Sequence, residues 1–342
     1  MQLLALPAWG LSEENKASLV ALYEGFVRDF AAKLNQRRLA QLILVVAPAQ
    51  PTPEGELAFL VESLGKVGGD QEALLCLDSA RAKLLLAAGE VKACKSLLGG
   101  AETLLESLSD AEALTHSSFY DALAQCLKAQ ADSEGFFRAS LQYLSYTPMA
   151  SLQPEQQQSL AFEIGRAALV GPKLYSFGEL LTHPVLASLE GTSQAWMPEL
   201  LKAFNSGDVS AYESATKANA AAIAAQSDLA SHEAALRQKI YVLALMAMAF
   251  SRPADARSLT FADIASTTQL QTEDEVEFLV MKAMSLGLVR GEIDQIAQAV
   301  SVTWVAPRVL TGPQLKVLGE RLQQWSNETL ETLTFVEANS AA

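Results

Sequence analysis

Along most of the chain, aliphatic and alanine-rich segments recur with helical spacing, and alternation of the strand type is almost absent. The pattern predicts helices near 12–32, 37–47, 53–66, 70–88, 90–109, 112–131 and 133–146, with more near 154–170, 194–205, 208–220 and 231–250. In the 70–88 segment Leu74, Leu77, Ala80, Arg81 and Leu84 keep the rhythm of a helix with one buried side. Breaks carry turn residues: Pro48, Pro51 and Pro53, Gly68-Gly69, Pro148, Pro154 and Gly171-Pro172. The glycines of LGKVGGD lack the spacing of a phosphate cradle and read as an interhelix turn. Antiparallel helix pairs recur at roughly forty residues, within the range of α-solenoid repeats, without a tetratricopeptide consensus. Such arrays bury each pair against its neighbours and leave an extended surface for partners. Thr216–Ala230, TKANAAAIAAQSDLA, is of low complexity and reads as a frayed helix or a loop.

The organisation changes after FSRPADARSLT. Thr260 with Asp263, and Thr272 with Glu275, match the capping box, in which a hydroxyl and a later carboxylate satisfy free helix N–H groups reciprocally. Two capped helices follow, short then longer; in the second, Val276, Leu279, Val280 and Ala283 form a buried stripe and Gly287 is the stop. Val300, Val302 and Trp304 then alternate with Ser301 and Thr303, a period of two, and LVRGEI pairs with them. Helix, helix and hairpin make a winged helix-turn-helix. Val300, Val302 and Trp304 are expected to secure the wing to its own domain, since so small a unit cannot bury a core alone. From Pro313 to Val336 a last helix is predicted. Leu315, Leu318, Leu322 and Trp325 are spaced three, four and three apart, and Leu330, Leu333 and Val336 prolong the apolar side. That helix either packs back on its own domain or inserts into a bundle with other chains.

Composition narrows the use. The chain has 342 residues, half of them apolar, enough for two or three domains. Lys and Arg number 25 against 39 acids, a formal charge of −14, which argues against a polyanion as main partner. Most winged helices read DNA with the first turn of the second helix. Here that turn carries Glu273, Asp274 and Glu275, with Glu277 one turn on and only Lys282 to compensate. Each acid about 4 Å from a phosphate costs roughly 1 kcal/mol in bulk water and about 4 kcal/mol at a protein surface. From Ser251 to Leu310 there are five cations and eight acids. The same acids also complement the helix dipole, at about 0.3–1 kcal/mol each, so they need no function of their own.

Candidate chemistry adds little. Cys76, Cys94 and Cys126 form no C-x-x-C pair and read as buried reduced thiols of a cytosolic or nuclear protein. His116, His183 and His232 lie far apart in sequence and form no metal-binding pair; His183, before Pro184, reads as structural or surface. There is no G-x-S-x-G elbow, P-loop or G-x-G-x-x-G. MQLLALPAWGLSEENK lacks the basic region and cleavage site of a signal peptide, and the longest apolar run, Ile240 to Phe250, is about half a membrane span. No enzyme activity, cofactor or metal is expected.

Helical pairs, a winged helix and a terminal helix in this order resemble the PCI family, shared by the proteasome lid, the signalosome and a translation initiation factor. LYSFGELLTHPVL (174–186), LLKAFNSGDVSAYE (200–213), KIYVLALMAMAFSRPADARSLTFADIA (239–265), DEVEFLVMKAMSLGLVRGEID (274–294) and VTWVAPRVL (302–310) are similar to the branch of that family found in the lid of the 26S proteasome. The likeness runs over about 170 to 335; before that it rests mainly on helix order. It implies a mainly α fold: a right-handed solenoid of TPR-like helical pairs (1–170), a PCI domain (171–310, helical to 250 and winged from 251 to 310), then a terminal bundle helix and tail (311–342). It also implies a non-catalytic, cytoplasmic and nuclear subunit acting in lid assembly and ubiquitin-dependent degradation. Its partners would be other PCI-domain lid subunits in a hetero-oligomer, with no nucleic acid and no membrane. Expected partner contacts are Leu288, Val289, Ile293, Val300 and Val302 on the wing, and Leu315, Leu318, Leu322, Trp325, Leu330, Leu333 and Val336 on the terminal helix. Two other readings stay open: a PCI subunit of another assembly, such as the signalosome or the initiation factor, or a winged helix that binds nucleic acid.

Overall fold

A computed structural model describes residues 13–108, 110–252, 257–309 and 312–340. The first part of the MQLLALPAWGLSEENK stretch, Ser109 at the end of the predicted 90–109 helix, the PADA of FSRPADARSLT, and Leu310, Thr311 and the last two residues lie outside the described residues. Two compact units emerge. One holds the chain up to Leu174 with Pro184–Pro198 and Ala221–Glu233; the other holds Tyr175–His183, Glu199–Ala220 and the chain from Ala234 on.

The first unit is an array of helices: α1 (Glu13–Leu22), α2 (Gln36–Val46), α3 (Pro53–Leu64), α4 (Gln71–Ala87), α5 (Val91–Ser107), α6 (Ala113–Ala129), α7 (Ser133–Tyr146) and α8 (Pro154–Val170). The helix predicted over 12–32 breaks instead into α1, a π-helical turn at Tyr23–Val27 and a 3-10 turn at Arg28–Lys33. Starts are fixed by side chains that accept from free backbone N–H groups: Asn35 from Arg38, Thr52 from Gly55, Asp70 from Glu72 and Ala73, and Asp132 from Gly135.

The core of this unit forms in consecutive layers. Tyr23, Leu39, Ile43, Leu60 and Leu77 pack in one cluster, while Leu75, Ala82, Leu98 and Phe119 pack in the next. Helix α4 belongs to both. Of the predicted stripe only Leu77 is buried, with Leu74, Ala80, Arg81 and Leu84 half-buried, while Leu75, Cys76, Ser79, Ala82 and Leu85 are buried off that stripe. The one-sided reading of α4 is therefore corrected: a helix inside a stacked array has neighbours on two sides. A buried carboxylate ties the layers together. Glu72 receives Arg37 Nη2 at 2.7 Å, the Glu112 backbone N–H at 3.2 Å and the Thr115 hydroxyl at 3.4 Å. This joins the starts of α2, α4 and α6.

In the second unit the short α9 (Gly178–Thr182) joins α10 (Trp196–Ser206), α11 (Val209–Ala218) and α14 (Glu233–Ser251). The low-complexity stretch ends α11 and then, passing to the first unit after Ala220, forms two single turns, α12 (Ala220–Ala224) and α13 (Ser227–Ser231). Phe204 meets Phe177 and Tyr212 edge-on at 6.1 and 5.2 Å. Gly207 turns the chain from α10 to α11 at φ +72°, where a Cβ would strike the Leu243 carbonyl oxygen. Helix α14 is long and apolar enough to cross a membrane, but half of its apolar window is buried inside the protein. Even Lys239 on it is buried, its ammonium 5.3 Å from the Phe177 ring centre and 5.6 Å from that of Tyr175.

The winged helix closes this unit: β1 (Ser258–Thr260), α15 (Phe261–Thr268), α16 (Glu273–Ser285), β2 (Val289–Asp294) and β3 (Ala299–Val305). The antiparallel sheet has the order β1-β3-β2, with Leu259 opposite Val300 and Ile293 opposite Val300 from the other side. Strand β1 was not expected, because three residues with one buried leucine leave no period to read. Finally α17 runs from Gly312 to Ser340.

Candidate partner interface

The wing is built to hold itself in place. Val289, Val300 and Val302 are buried with Leu259, so they turn inward and fasten the sheet to its own unit. This corrects their expected role as partner contacts, since alternation marks two faces of a strand without saying which face is covered. Leu288 and Ile293 are half-buried. Trp304 lies on the outer face under the Arg290 guanidinium, 4.7 Å from the ring centre, rather than in the core with Val300 and Val302. The register shifts between Arg290 and Gly291. There the strands approach so closely that a Cβ on Gly291 would overlap the Ser301 carbonyl oxygen. Strand β2 is an edge of the sheet.

Helix α16 is fixed at both ends. The Thr272 hydroxyl accepts from the Glu275 N–H at 3.3 Å, and Glu275 Oε2 accepts from the Thr272 N–H at 3.3 Å, the predicted box. Gly287, at φ +69°, donates to the Met284 carbonyl while Leu288 donates to that of Ala283, the paired closure of a Schellman end. Val276, Leu279, Val280 and Ala283 are buried, as their spacing predicts. The helix before it starts at Thr260, whose hydroxyl accepts from the Asp263 N–H at 3.1 Å. The Arg252 guanidinium 2.8 Å away, with Thr260, holds the Asp263 carboxyl below the usual carboxylate range.

Helix α17 presents its apolar side to solvent. Leu315, Leu318, Leu322, Trp325, Leu330, Leu333, Phe335 and Val336 are all exposed, Trp325 by 68%. No described side chain of this 29-residue helix is buried. Its polar side supports it locally, with Gln324 donating to Glu328 one turn on at 2.9 Å. The segment leading into it is anchored. The half-buried Arg308 donates to the Asn205 carbonyl, and burial pulls its guanidinium pKa down. Val309 fills the space that a side chain at Gly178 would take. Of the sequence-predicted contacts, the structure thus leaves the whole α17 group available and withdraws three wing valines.

Residues 4–201 match the family of PSD13 N-terminal repeats, and residues 216–304 match the PCI domain. Over 328 residues the chain is 35% identical to the 26S proteasome non-ATPase regulatory subunit 13 homolog B of Arabidopsis thaliana, covering 94% of this chain and 85% of that protein. The chain belongs to the 26S proteasome non-ATPase regulatory subunit 13 family. Another relative is the non-ATPase regulatory subunit 13 of Dictyostelium discoideum, 34% identical over 325 residues, with 94% and 84% of the two chains covered. The regulatory subunit RPN9 of Saccharomyces cerevisiae is 32% identical over 324 residues, with 90% and 80% covered. Repeats followed by a PCI domain are thus matched in that order, and the repeat match reaches residues where the sequence resemblance rested mainly on helix order.

The side chains that carry chemistry elsewhere are occupied structurally in this family member. Among the described residues no three His, Cys, Asp or Glu side chains gather as a metal site. His116 stacks on Tyr146 at 4.4 Å. The three thiols are free and buried, and burial, with Cys126 alongside, pushes that of Cys94 up to about 12, too high for a nucleophile. A groove of about 1070 Å³ lies over α6, α7 and α8 in the first unit. Four of its five charged lining residues are paired, Lys83 with Asp121 and Lys128 with Glu163, both at 2.5 Å; Glu155 is the fifth.

Proposed function

We propose that this chain is a non-catalytic structural subunit of the regulatory-particle lid of the 26S proteasome, acting in lid assembly and so in ubiquitin-dependent protein degradation. Its partners are other PCI-domain lid subunits. The reading is supported by family membership over nearly the whole chain together with one observation: an apolar side of α17 exposed along its entire length. Exposed apolar surface of that extent marks an interaction site. A helix with such a seam is stable in water when other helices cover it, as in a bundle. The wing contributes an edge strand, β2, suited to pairing with a neighbour.

Deleting residues 313–342 tests this. The truncated chain should keep its far-ultraviolet circular dichroism per helical residue and its melting temperature, because no described α17 side chain is buried. It should fail to co-sediment with the particle. Full co-sedimentation of the truncated chain would remove the proposed role.

A further inference from the structure

Helix α16 carries two apolar sides. Val276, Leu279, Val280 and Ala283 serve its own core. Phe278 and Met281, three residues apart and therefore neighbours on the helix surface, stand on the opposite side and are 59% and 48% exposed. A core-facing helix needs only the first stripe; an exposed aromatic beside an exposed methionine, rimmed by polar groups, is the composition of a protein contact.

The rim is mainly acidic. At 3.6 residues per turn, Asp274 lies one turn before Phe278 on its side of the helix, Glu277 borders Met281, and Glu275 closes the other flank. Lys282, the helix's sole cation, stands one turn after Phe278 on the same side, so three acids face one lysine there. The hairpin turn adds to this. Gln295 donates to Glu277 Oε2 at 2.7 Å, tying to α16 a turn that contains Asp294 and, next to Gln295, an Ile296 exposed by 99%. Acids in the first turn suffice to complement the dipole; they do not account for Phe278, Met281 and Ile296 facing water.

We propose that the outward face of α16, centred on Phe278 and Met281, is a docking site for a neighbouring protein subunit that offers an apolar contact ringed by lysine or arginine. The face rests on the lid-subunit reading for the source of its partner, and it is separate from α17 and from the β2 edge. Charge complementarity selects the occupant. A polyanion is repelled by Asp274, Glu275 and Glu277, and a second copy of this face would set the same acids against each other. The position that contacts bases in DNA-reading relatives of this motif is thus converted to protein recognition by changing the charge and adding two apolar anchors.

The test uses the assembled particle and the full-length chain. The double variant Phe278→Ser/Met281→Ser should melt like the unmodified chain, because both side chains are exposed, while its retention in the particle falls at least about tenfold. Asp274→Lys/Glu277→Lys should reduce retention about threefold at low salt, and less at about 0.5 M salt, where the Debye length is only a few ångströms. A photo-crosslinking benzoylphenylalanine at position 278 should join a lysine- or arginine-rich segment of another subunit. Normal retention of the serine double variant in a particle that contains the unmodified chain overturns this inference and leaves the lid assignment standing. Crosslinks to nucleic acid or to a second copy of the chain overturn it too. Absence of the unmodified chain from the particle overturns both.

Discussion

Two long helices of the same unit, α14 and α17, are both rich in apolar residues and end in opposite surroundings. In α14 Ile240, Val242, Leu243, Ala244, Leu245 and Met246 are buried, so the middle turns of the helix are covered on every side. In α17 Leu315, Leu318, Leu322, Trp325, Leu330, Leu333 and Val336 lie along one side, and all of them face water. A helix covered all round contributes to folding; a helix with one uncovered seam stores that burial for association. On the function proposed above, stability and assembly are carried by different parts of one unit, and variants should separate them.

The largest expected effect is in α14. Leu243→Ala leaves a cavity around a fully buried position and should cost about 2–5 kcal/mol in urea unfolding. The comparison breaks if Trp325→Ala in α17 costs as much. That substitution should instead stay within about 0.5 kcal/mol for the isolated chain. In the particle it should weaken association by about 2 kcal/mol, measured by competition with the unmodified chain. Next comes Gly291→Ala, which forces a Cβ against the Ser301 carbonyl and should cost about 1–3 kcal/mol while loosening the wing. Hydrogen exchange of β2 and β3 would reveal it.

Thr272→Ala removes the α16 cap and should cost about 1 kcal/mol, read as a lower melting temperature with unchanged helix content. The smallest effect concerns Asp263, exposed and paired with Arg252. Its carboxyl is held below the usual range, so the folded form gains from its charge above about pH 3.9, the unfolded value. That gain is lost as pH falls through the lower folded value. Asp263→Asn should be slightly less stable than the unmodified chain at neutral pH, with the difference vanishing in acid. A difference that persists in acid would place the effect elsewhere than in the charge.

Legibility in the sequence followed the length of each pattern. The capping box at Thr272 and Glu275, the stripe Val276–Ala283 and the stop at Gly287 were readable because they are local: their partners lie within a few residues. The short α9 and β1 carry too few residues for a period to show. The Arg37–Glu72–Thr115 junction was invisible, since its members are separated by more than thirty residues and nothing local distinguishes a buried glutamate from an exposed one. Phe278 and Met281 were equally hidden. Within a helix rich in apolar residues, only the finished packing shows which ones were left out.

By itself the sequence determined the mainly helical class, the winged helix, the seam on the terminal helix and a charge unsuited to nucleic acid, because each follows from spacing along the chain or from summed charge. Only the tertiary structure decided that α4 is buried on two sides, that Val289, Val300 and Val302 face inward, and that α17 and the outer face of α16 remain uncovered. Burial depends on which distant elements arrive to exclude water, and periodicity records a face without recording what meets it.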